Sequence, residues 1–143
     1  HDDYPAALEW FLEARDVWEE GIPTMDLADR KPWERRWGFT LPVWIFGTAD
    51  RAEQPELARE ARDRALEWLD AGDETHPNEL LSLAEFLALP VHQQLQDCER
   101  ALDIVERHDL QRHFERQSEP LRGAALTILD AIRAAINERT RAR

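Results

Sequence analysis

The sequence predicts an all-α fold: a single compact bundle of five to six helices over residues 1–143, with an aromatic-rich irregular connector, residues 22–54, after the first helix. Three observations carry that expectation. Apolar residues recur at three- and four-residue spacing through most of the chain, the period of a helix with one buried face. Five glycines and eight prolines are too few for the many tight turns of a β-sandwich. The only run with β character, Val43 to Phe46, has no second strand to pair with.

The first helix is expected from Tyr4 to Glu20. Asp2 or Asp3 caps it, Pro5 is tolerated in its first turn, and Gly21 followed by Ile22-Pro23 ends it. Tyr4, Leu8, Phe11 and Trp18 form one apolar stripe. Ala7, Trp10, Ala14 and Val17 form a second beside it, so both flanks are expected to pack. In the connector, Thr24 opens a short helix to Arg30, and Pro32 to Trp37 makes a turn closed by Gly38. Phe39 to Gly47 is the most apolar stretch, read as a short helical turn or an extended plug.

Pro55 opens the next helix and Gly72 closes it, with Leu57, Ala61, Ala65, Trp68 and Leu69 facing inward. Thr75 to Asn78 starts another. Between Leu80 and Leu89 only Ser82 and Glu85 are polar, which predicts a helix buried centrally or covered by a second chain as a homodimer. Pro90 ends it and is expected to open a helix to His108, with Val91, Leu95, Cys98, Leu102 and Val105 as its seam. Asp109 caps a short helix through Phe114. Ser118 caps the last, Glu119 to Thr140, whose seam of Leu121, Ala125, Ile128, Ile132 and Ala135 repeats the same spacing. Two matching seams joined by a short linker are expected to pack antiparallel.

Composition narrows the functional classes. With 43% hydrophobic and 34% charged residues the chain is too apolar for disorder. No stretch approaches the ~18–20 apolar residues that span a bilayer, so no membrane role is expected. Cys98 is the only cysteine, which excludes an intramolecular disulfide and a cysteine-based zinc cage. A cytoplasmic location fits that cysteine usage. The net charge of −12 repels nucleic acid and favours a basic protein partner. By segment the charge is −7 over 1–30, zero over 31–60, −8 over 61–110 and +3 over 111–143.

No residue set stands out as catalytic, and no cofactor or metal is implied. Glu106, His108, Asp109 and His113 are metal-type ligands close in sequence. The His108-Asp109 pair resembles the HD dipeptide of helical metal-dependent phosphohydrolases, with Asp130 as the distant partner. The competing reading is a solvated helix junction with Asp109 as cap. Glu56, Glu60, Asp63 and Glu67 share a helix side, but Arg59, Arg62 and Arg64 interleave with them as on a solvated charged face. The five glycines are isolated, so there is no phosphate loop.

The aromatic residues carry the most information. Six tryptophans are present, three of them between residues 33 and 44. Trp33, Arg35, Arg36, Trp37, Phe39, Trp44 and Phe46 form a Trp/Arg-rich connector of the kind that dominates binding hot spots, and they are the expected partner-binding residues. The competing reading pins the connector to the core by its own aromatics. A further expectation is a small-ligand pocket lined by Trp10, Trp44 and Trp68. The favoured function is a non-enzymatic acidic helical interaction protein: a small subunit, adaptor or immunity-type inhibitor. It would bind a protein partner, including through a basic nucleic-acid-binding surface of that partner. The alternative is a helical metal-dependent hydrolase or metal-binding protein.

Overall fold

The computed structural model describes residues 3–21, 34 and 36–142, the Arg36 side chain apart. Among them there is no strand, and the all-α expectation holds. The helix count differs from five to six: seven α-helices are present among the described residues. The extra elements lie where the sequence expects an irregular connector or one long helix. The chain divides into two compact units, His1–Thr75 and His76–Arg143.

The first unit holds α1 (Tyr4–Gly21), a π-helical turn (Arg36–Thr40), α2 (Leu41–Arg51) and α3 (Pro55–Asp70). Asp3 caps α1 as expected, its carboxylate accepting from the Ala6 N–H at 3.2 Å. α2 corrects the irregular-connector expectation. It has poor helix formers in Val43, Ile45, Gly47 and Thr48, yet it is a full helix of 11 residues. Pro42 supplies a favoured first turn, and burial does the rest. Leu41, Pro42, Val43 and the whole run Ile45 to Asp50 are buried, and α2 packs against both α1 and α3. Burying an Ile- or Phe-sized side chain contributes roughly 1.5–3 kcal/mol, ample to override tenths per residue of propensity. Glu53, at φ 60°, closes α2 in the left-handed conformation that glycine usually takes.

α3 spans the expected stretch, but Leu57, Trp68 and Leu69, also expected to face inward, are half-buried; its buried residues are Ala58, Ala61 and Ala65. These small residues let α2 approach closely. The π turn packs on α2 and α3, and its Gly38 lies directly against the Trp68 ring: a Cβ there would stand 2.7 Å from it. The Trp68 indole N–H donates to the Glu74 carbonyl oxygen at 3.0 Å, which fixes the ring against that glycine.

The second unit holds α4 (Pro77–Ala88), a 3-10 turn (Gln93–Leu95), α5 (Cys98–Arg107), α6 (Leu110–Glu115) and α7 (Leu121–Arg141). The His76 ring nitrogen Nδ1 caps α4, accepting from the Asn78 N–H at 3.2 Å. α4 is the central helix here, packed against α5 and α7, so its apolar run is covered within its own unit.

The expected helix from Pro90 to His108 is a turn followed by a shorter helix. The Asp97 N–H donates to the Leu87 carbonyl at 2.9 Å and the Gln96 amide to that of Ala88 at 2.9 Å, so the chain folds back to satisfy the end of α4. Asp97 then caps α5, accepting from the Arg100 N–H at 3.0 Å. Val91 is consequently exposed instead of lying on a seam. The N-cap of α7 is Pro120, not the expected Ser118, and it makes no side-chain cap bond; just before it, the Glu119 carboxylate accepts from the Gly123 N–H at 3.2 Å. Ala125, Leu129 and Ile132 form the inner face of α7.

Candidate binding surface

α1 is the least covered helix of the first unit. Leu8 is its one buried residue. The stripe Tyr4–Leu8–Phe11 turns toward the unit, and the second stripe does not: Trp10 is 65% exposed and Val17 71%. This corrects the expectation that both flanks pack. Trp10, Ala14, Val17 and Gly21 follow one another at helical seam spacing, and with Trp18 and Trp37 they line an open groove of about 510 Å³. Glu9, Glu13, Asp16 and Glu20 are exposed on the same helix. Its only base is Arg15.

The other side of Trp18 and Trp37 faces a second recess. The two indoles stack at 5.7 Å between centroids and 23° between planes, so the pair is a wall shared by both hollows. The second hollow is a cleft of about 480 Å³. Leu41, Pro42 and Ile45 of α2 line it, with Trp18 and Glu19 from α1 and Glu60, Arg64, Glu67 and Trp68 from α3. An ion pair from Arg64 to Glu19 at 3.4 Å joins α1 and α3. Both partners are half exposed, so this pair contributes little stability.

The expected partner-binding residues are divided by the structure. Trp33 and Arg35 lie outside the described residues, as does the Arg36 side chain. Phe39 and Phe46 are fully buried core residues, as the competing reading holds. Trp37 is half-buried in the shared wall, and Trp44 is 42% exposed on α2. The expected tryptophan pocket is also redrawn. Trp68 lines the cleft and Trp10 the groove, while Trp44 lines neither.

No family model, curated protein or solved structure matches this chain. Among the described residues, no three His, Cys, Asp or Glu side chains come together as metal ligands. Asp109 sits at the turn between α5 and α6 at φ 49°, with its carboxylate 4.0 Å from Arg112. The His113 ring instead packs edge-on against Phe114 at 4.9 Å. No described helix is long and apolar enough to cross a membrane.

The signal for the α1 groove is present in the sequence as the stripe of Ala7, Trp10, Ala14 and Val17. Periodicity shows that such a stripe exists but not which of two adjacent stripes the rest of the unit covers. Nothing in the sequence places Trp18, Trp37 and Trp68 around one cleft, because they come from three separate elements.

Proposed function

We propose that this chain is a non-enzymatic interaction protein that holds a basic amphipathic helix of a protein partner along the outer face of α1. The observation that carries this reading is the exposure of Trp10 and Val17, two large apolar side chains two turns apart on one helix face. Their spacing suits helix-in-groove recognition, in which apolar anchors at three- and four-residue intervals fill a hydrophobic furrow. The carboxylates of Glu9, Glu13, Asp16 and Glu20 supply the electrostatic complement, so the partner segment carries lysine or arginine beside its apolar face. A nucleic-acid-binding helix of a basic partner has that chemistry. Of the connector residues, Trp37 keeps a place at the groove, whereas Trp44, exposed on α2, is not part of it.

The test is affinity capture from lysate of the source organism with the native protein beside Trp10→Ser/Val17→Ser. The expected result is a basic partner held by the native protein, released by salt and lost in the variant. Equal capture by both proteins removes α1 from the reading. A complex whose affinity ignores ionic strength removes the charged half of it.

A further inference from the structure

The cleft beside the α1 groove has a chemistry of its own. Three indoles reach it from three elements: Trp18 from α1, Trp37 from the π turn and Trp68 from α3. All three are half-buried, so each presents ring surface to the cleft without being swallowed by the core. The Trp18–Trp37 stack and the hydrogen bond from Trp68 to the Glu74 carbonyl hold the rings in place. An indole face is electron-rich and attracts a cation more strongly than any other side-chain ring.

The charges at the cleft have the matching sign. Its lining includes Arg15, Arg64, Glu19, Glu60, Glu67 and Asp73. Arg64 is engaged by Glu19 at 3.4 Å, and Arg15 lies 3.9 Å from Asp16. Glu60, Glu67 and Asp73 have no basic partner among the described residues, which leaves an excess of carboxylates over an aromatic recess. The side chains of Leu41, Pro42 and Ile45 give it an apolar floor. An anion meets an excess of carboxylates among the described lining residues, and a neutral apolar molecule gains nothing from them. A cation with an alkylated head satisfies the indole faces, the floor and the carboxylates together.

We propose that the cleft bounded by Trp18, Trp37 and Trp68 is a binding site for a small organic cation, an alkylated or quaternary ammonium. At about 480 Å³ the cleft accommodates such a head with a short tail. This site is separate from the α1 groove and needs no protein partner to be occupied.

The test is titration of the purified full chain with choline, read by tryptophan fluorescence and by calorimetry. Its neutral isostere, 3,3-dimethylbutan-1-ol, runs beside it. The expected result is saturable, millimolar choline binding that the isostere does not reproduce. Glu60→Gln and Glu67→Gln remove one carboxylate each from exposed positions, and each is expected to weaken choline binding about 5-fold. Trp37→Leu, checked for an unchanged helix signal, is expected to abolish it. Equal binding of the isostere overturns the cation assignment. So does choline affinity that neither glutamine substitution changes from that of the native chain. No saturable response to choline up to tens of millimolar overturns the site itself.

Discussion

α1 and α2 are neighbours in one unit and are built on opposite principles. α1 spans 18 residues and buries Leu8 alone. α2 spans 11 and leaves Trp44 and Arg51 as its exposed side chains. Judged by propensity the order reverses, since α1 is rich in alanine, leucine and glutamate while α2 contains two β-branched aliphatic residues and an internal glycine. The contrast shows that a helix favoured by its own sequence can leave a face uncovered. A helix formed only by its surroundings has no face to spare.

Substitution should separate the two. All six tryptophans fall within 1–75, so their fluorescence reports the first unit, whereas the helix signal in circular dichroism reports both. Phe46→Ala in α2 is expected to cost about 3–5 kcal/mol, measured as a lowered midpoint of fluorescence-detected urea unfolding. Gly38→Ala comes next. It drives a methyl group into the Trp68 ring, and about 1–3 kcal/mol of destabilisation is expected, with a shift in emission as the indole moves. Glu53→Gly relieves a left-handed backbone at the end of α2 and should raise the same midpoint by about 0.5–1 kcal/mol.

The smallest effect on stability is expected on α1. Trp10→Ser/Val17→Ser should change unfolding by no more than about 0.5 kcal/mol, because neither side chain leaves a core cavity. The same pair should weaken partner capture by at least about tenfold. If it destabilises the unit as strongly as Phe46→Ala does, the contrast between the helices is gone and α1 has no spare face.

Several features were legible in the residues alone. Asp3, Pro55 and Pro77 mark helix starts because capping and proline geometry are local effects that need no tertiary partner. Where the sequence misleads, the competing force is long-range. Pro90 to His108 carries seam spacing throughout, but the backbone needs of α4 draw Gln96 and Asp97 back to its last carbonyls and break the helix. Ser118 is a good cap by type, yet the helix starts two residues later, behind Pro120, and the Glu119 carboxylate takes the Gly123 N–H. The connector aromatics were ambiguous because a tryptophan or phenylalanine serves equally well as anchor or as core.

Helicity, acidity, tryptophan content and most helix starts are set by the residues of this chain alone. Those properties follow from composition, period and capping, which act over a few residues. The tertiary structure decided that Phe39 and Phe46 are core while Trp10 and Val17 face outward. It also decided that three tryptophans from separate elements meet around one cleft. Burial depends on which faces of distant helices find each other, and no local pattern encodes that choice.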